Sequence, residues 1–97
     1  MKQLTETGRE VYGHSDRAIN KHAERRYRDQ TGKCYVLSRT LDGYPPFFEA
    51  YGPYKKDHEG VLPRLMVAGE AYWGSGWGWA RALKLFSLQL DAEIVST

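Results

Sequence analysis

All three tryptophans of this chain fall in one run, Trp73-Gly74-Ser75-Gly76-Trp77-Gly78-Trp79. Helix-like apolar sequence lies on both sides, Val61 to Ala68 before it and Ala80 to Leu90 after it. Glycine takes positive φ without steric cost, so the alternate glycines let the chain reverse between the two segments. The tryptophans then either pack back onto the flanking helices or stand toward a partner. Spacing assigns them different fates. Trp79 is in helical register with Leu83, Phe86 and Leu90 and is expected in the core. Trp73 closes the stripe of Leu62, Leu65, Met66 and Gly69 and is expected to be largely buried. Trp77, between two glycines, is the one expected at the surface.

Upstream, Ser15-Asp16 offers an N-cap and Thr31-Gly32 a stop, which predicts a helix near 15–30. Ile19, Ala23 and Tyr27 form its narrow apolar stripe. Arg17, Lys21, Arg25 and Arg28 form a basic stripe on another face. That stripe is either a solvated surface, the commoner case, or an electrostatic footprint for an acidic partner or phosphates. Residues 1–14 are polar without a clear period and read as an irregular arm. Cys34 to Leu41 is rich in β-branched and aromatic residues and reads as a strand. Asp42-Gly43 signals a hairpin turn, with Phe47 to Tyr51 as the return strand. Pro45 and Pro46 put that strand at a sheet edge. Gly52 to Asp57 reads as a turn or exposed loop.

Pro63 suits the first turn of a helix running through Trp73. Ser75 would cap a second helix ending near Asp91. Leu85 and Leu88 lie off the main apolar stripe of this second helix, so it is either central to the core or half-covered by a partner. Residues 92–97 read as a tail. The expected fold is one α+β domain over residues 1–97. It has a basic N-terminal helix, a β-hairpin and two C-terminal helices around the Trp/Gly turn.

The 97 residues suffice for one domain with a modest core. A hydrophobic content of 41% with 27% charged residues fits a globular chain. The net charge of +2 is too small to argue for a nucleic-acid binder by itself, but it is unevenly spread. Residues 1–33 carry a net charge of +3 and residues 34–97 a net charge of −1. Cys34 is the single cysteine, which excludes an intramolecular disulfide framework. The N-terminus lacks an apolar signal region, and the longest apolar stretch, interrupted by Arg81 and Lys84, is too short to span a bilayer. A cytoplasmic protein is expected.

The sequence carries no catalytic or ligand motif. His14, His22, His58 and Cys34 have no metal-ligand spacing, so no metal is expected. The Trp/Gly run lacks the Lys-Ser/Thr of a phosphate loop. The chain is therefore read as a non-enzyme without a cofactor. What remains is binding. Tyr44, Phe47, Phe48, Tyr51 and Tyr54 cluster beside prolines, and aromatics in loops are frequent interface anchors. The residues expected to meet a partner are Arg17, Lys21, Arg25, Arg28, Tyr51, Gly52, Pro53, Tyr54 and Trp77.

In length, in its opening Met1-Lys2-Gln3-Leu4-Thr5 and in its basic first third, the chain resembles the second anti-RecBCD proteins of lambdoid temperate phages. The resemblance implies a non-enzymatic phage early protein. Such a protein binds the host RecBCD helicase–nuclease, chiefly through RecC. It modifies the exonuclease so that phage DNA ends survive and recombine. The resemblance also implies association with a host peptidyl-prolyl isomerase in the host cytoplasm. Gly52-Pro53, between two tyrosines, is a reasonable target, since X-Pro bonds in flexible loops populate both isomers. The competing readings are a small basic nucleic-acid-binding protein and a structural subunit.

Overall fold

A computed structural model describes residues 2–12, 22–40 and 47–95. It is dominated by one mixed sheet of six strands, in the order β5-β4-β3-β2-β1-β6. Strands β1 (Lys2–Tyr12), β2 (His22–Asp29), β3 (Cys34–Thr40) and β4 (Phe48–Tyr54) form an antiparallel meander. The two-residue β5 (Arg64–Leu65) pairs antiparallel with β4. The chain then enters α1 (Trp79–Leu90), the one helix among the described residues, crosses one face and returns as β6 (Ala92–Val95), parallel to β1.

This overturns the expected basic N-terminal helix. Residues His22–Asp29 are a strand, and Thr31-Gly32 sits in a hairpin turn instead of ending a helix. The Asp29 carboxylate organises that turn. It accepts hydrogen bonds from the Thr31 amide (2.9 Å), the Thr31 hydroxyl (2.6 Å), the Lys33 amide (3.0 Å) and the buried Tyr35 hydroxyl (3.3 Å). Residues 2–12 are not an irregular arm but the strand between β2 and β6. Residues 92–95 of the expected tail form β6.

Of the two expected C-terminal helices only the second forms, and it begins at Trp79, with Gly78 as its N-cap. The segment before it follows the edge of β4. The Gly52 amide donates to the Pro63 carbonyl at 2.8 Å, and Phe48 and Trp73 exchange backbone hydrogen bonds of 2.7 and 3.1 Å. Between these points Val67 and Glu70 bond each other across a two-residue turn in which Ala68 (φ 51) and Gly69 (φ 79) both take positive φ. This is the backbone pattern of a tight hairpin, and Ala68 holds it despite its Cβ. β4 is therefore one strand in from the edge.

The core lies between α1 and one face of the sheet. Leu4, Tyr27, Tyr35, Leu37, Phe48 and Ala50 supply the sheet side, and Ala82 and Phe86 the helix side. Phe86 meets Tyr27 at 5.6 Å between ring centroids, and Trp79 meets the Phe48 ring edge-on at 5.2 Å. Trp73 is buried as expected, with 7% of its surface exposed. Trp79 and Trp77 are both half-buried, so the expected contrast between core and surface is weaker than the spacing implies. Gly74 permits this packing. A Cβ there would lie 2.8 Å from the Trp77 ring, and its φ is +71.

Candidate functional site

Side chains alternate across a strand, so each strand of the meander also supplies a second face. Among the described residues no helix or second sheet covers it. Register fixes its rows. Arg28, Cys34 and Tyr54 lie side by side on β2, β3 and β4, followed by Arg26, Val36 and Tyr51, with Arg64 of β5 beyond. The next row is Glu10, Glu24, Ser38 and Glu49.

One local irregularity assembles this face. Tyr51 and Tyr54 are three residues apart and would point to opposite sides in a regular strand. Between Cys34↔Tyr54 and Val36↔Tyr51, however, β4 has two residues where β3 has one. This β-bulge at Gly52-Pro53, whose peptide bond is cis, returns Tyr54 to the side of Tyr51. Only glycine fits at the first bulge position. A Cβ on Gly52 would lie 2.6 Å from the Tyr35 ring and 2.7 Å from the Cys34 carbonyl oxygen, at φ +127.

The charges on this face are linked in pairs except at Arg28, whose buried Nε has no hydrogen-bond partner among the described residues. Arg26 reaches Glu10 at 2.6 Å and Glu24 at 3.6 Å, and His22 lies 3.3 Å from Glu24. Glu49 accepts a hydrogen bond from the Tyr51 hydroxyl at 2.8 Å and pairs with Arg64 at 3.2 Å. Arg64 also stands over the Tyr51 and Tyr72 rings, 5.6 and 5.0 Å from their centroids. Burial, then the hydrogen bond to Glu49 and its charge, push the Tyr51 phenol up to about 12. Burial also raises Tyr54, and a hydrogen bond with Tyr72 raises Arg64. A cleft of about 410 Å³ opens here, with Glu24 and Ser38 in its wall and Tyr51 and Tyr72 at one side.

The expected partner residues are divided by this arrangement. Arg28, Tyr51 and Tyr54 share the bare face. Pro53 is exposed, whereas Gly52 is buried; both belong to β4 and not to a loop. Arg25 is on the helix side, its guanidinium 4.2 Å from the Trp79 ring centroid. Trp77 is also on the helix side, under Arg81. Arg17 and Lys21 lie outside the described residues. The basic stripe is not one surface: residues 25 and 28 differ by an odd number, so a strand sends them to opposite faces. Sequence reasoning missed Arg26, Glu24, Glu49, Arg64 and Tyr72. The alternation His22, Glu24, Arg26, Arg28 was the available signal.

Among the described residues no group of three or more His, Cys, Asp or Glu side chains is placed to hold a metal ion. No helix among them is long and apolar enough to cross a membrane. No protein-family model, curated protein or solved structure matches the chain.

Proposed function

We propose that the chain is a non-enzymatic phage-type protein that binds the host RecBCD helicase–nuclease, acting in the host cytoplasm to protect phage DNA ends and promote recombination. The whole-chain resemblance supplies the partner, RecC its contact subunit, and a host peptidyl-prolyl isomerase near the exposed Pro53 as a second associate. The observation that carries a protein partner over a nucleic acid is the bare face itself. One of its rows holds Glu10, Glu24 and Glu49, which repel phosphates, while Tyr51, Tyr54 and Tyr72 flank paired arginines. Aromatic anchors beside paired charges suit a protein surface.

The test is a binding and nuclease assay with purified RecBCD. The wild-type chain should bind and reduce exonuclease activity, with little loss of affinity as salt rises. Tyr51→Ala should weaken binding by about tenfold or more, the effect of losing an aromatic anchor. A chain that ignores RecBCD but binds DNA, with affinity falling steeply in salt, would replace this reading with the nucleic-acid one.

A further inference from the structure

Helix α1 is apolar on two sides, whereas a surface helix needs only one apolar stripe. Its inner side, centred on Ala82 and Phe86, packs on the sheet. Its outer side continues the Trp/Gly turn. Trp77, Arg81, Lys84, Leu85 and Leu88 recur at helical spacing and line a shallow groove of about 170 Å³. Leu88 is 68% exposed. It also borders a second groove of about 340 Å³, formed with Ala92 and Ile94 beside β6. Leu88 and the accessible parts of Trp77 and Leu85, which also pack against the core, therefore mark a strip about three helical turns long, roughly 16 Å.

The charges along this strip are graded. Arg81 and Lys84 are the only charged residues of α1. Arg81 lies over the Trp77 ring, 4.2 Å from its centroid, so its charged head is held at the groove rim. Among the described residues neither cation has a carboxylate partner. Asp91 and Glu93 rim the far groove.

We infer that the outer side of α1 is a docking site for an amphipathic helix of a partner protein, with acidic residues meeting Arg81 and Lys84 and apolar residues covering Trp77, Leu85 and Leu88. Such a helix is neutral or basic where it nears Asp91 and Glu93. Helix-on-helix recognition through anchors three and four residues apart is a common peptide-binding mode. A strip of three turns falls well short of the roughly 800 Å² per partner that holds two copies of a chain together. It serves instead as one contact of a larger complex. The inference rests on the protein-binding reading only in that the partner is a protein, and its test does not use RecBCD.

The probe is a designed helical peptide with a leucine stripe and glutamates toward one end, titrated into the full chain by amide NMR. Saturable shifts confined to residues around 77–94 are expected, together with about tenfold weaker binding of the same peptide carrying lysine for glutamate. Leu88→Glu and Arg81→Glu should each weaken binding about tenfold or more while leaving the spectrum of a folded protein. Three results would overturn the inference: shifts elsewhere, equal binding of the lysine peptide, or variants that bind like wild type. Sedimentation showing a wild-type dimer that Leu88→Glu dissolves would assign the strip to a second copy. Failure of the RecBCD assay with a positive titration would reject the named partner and leave this site standing.

Discussion

The two faces of the sheet are built from the same strands by the same alternation, yet different forces hold them. The covered face carries Leu4, Leu37, Phe48 and Ala50, each with no exposed surface, sealed by Ala82 and Phe86. Its stability comes from burial, about 25 cal/mol per Å² of apolar surface removed from water. The bare face carries Arg26, Glu24, Glu49 and Arg64 in reciprocal pairs. Pairs of that kind contribute about 0–1 kcal/mol each. The covered face therefore holds most of the core, while the paired charges of the other contribute little to stability, although Cys34 and Val36 are buried there too.

The largest expected effect breaks the covered face. Phe86→Ala removes a ring with no exposed surface that packs on Tyr27. It should cost about 3–5 kcal/mol in a denaturant melt, a large part of the 5–15 kcal/mol typical of a domain. A loss below about 1 kcal/mol would show that α1 does not seal the core.

Gly52→Ala comes next, because this position joins the two faces. Its Cβ would meet the Tyr35 ring at 2.6 Å in a backbone conformation that alanine rarely adopts. Backbone strain alone costs about 1–3 kcal/mol, before the clash. Gly8→Ala is the control. It lies at the other register shift, where an added Cβ meets nothing within 4 Å, and should be nearly neutral. Equal melting of the two variants would mean that the β4 bulge is not constrained as described.

Titration should place the Asp29 turn and Tyr51 at opposite ends of the pH scale. Burial pushes the Asp29 carboxyl up, but hydrogen bonds from Thr31, Lys33 and Tyr35 outweigh it and hold it below its ordinary value of 3.8. Its stabilisation is present above that value and is lost as pH falls through the lower, folded one. Asp29→Asn should remove that acid-dependent step. Tyr51 behaves conversely. Its neutral phenol is favoured in the fold, so its contribution is complete below pH 10 and is lost as pH rises toward about 12. Tyr51→Phe should flatten stability between those values only in part, because burial also raises Tyr27 and Tyr54. Stability profiles against pH, with tyrosinate absorbance as a second readout, check both variants.

The same alternation explains what the sequence disclosed. The Cys34–Thr40 strand, its return partner and the stripe Leu83, Phe86 and Leu90 were legible because their periods differ clearly from the alternatives. The basic helix was not. Ile19, Ala23 and Tyr27 are spaced by four, which puts residues on one side of a helix but also, being even, on one side of a strand. Only Arg28, three beyond Arg25, discriminates, and it falls on the opposite face. β1 was illegible because its described core contribution is essentially Leu4, with charged residues around it. Tyr51 and Tyr54 are both expected partner residues, but nothing in their spacing reveals that a bulge brings them together.

The smallest expected effect on stability tests whether the bare face is kept for binding. Arg64→Ala removes a pair with Glu49 at 3.2 Å and two ring contacts, on a side chain that stays about one-third exposed. Exposed ion pairs and cation–π contacts are each worth about 1 kcal/mol or less. The melt should therefore shift little, and a cycle with Glu49→Ala should show coupling within the same limit. Partner binding should fall by more than stability does, because the bound state would desolvate the Glu49 carboxylate that Arg64 now neutralises, and an unpaired buried charge is costly. Arg25→Ala on the covered face supplies the contrast. Its guanidinium covers the Trp79 ring at 4.2 Å, a contact of the same small worth, so its loss should also shift the melt little but leave partner affinity unchanged. If Arg64→Ala weakens binding no more than Arg25→Ala does, the bare face is structural and the division between the faces fails.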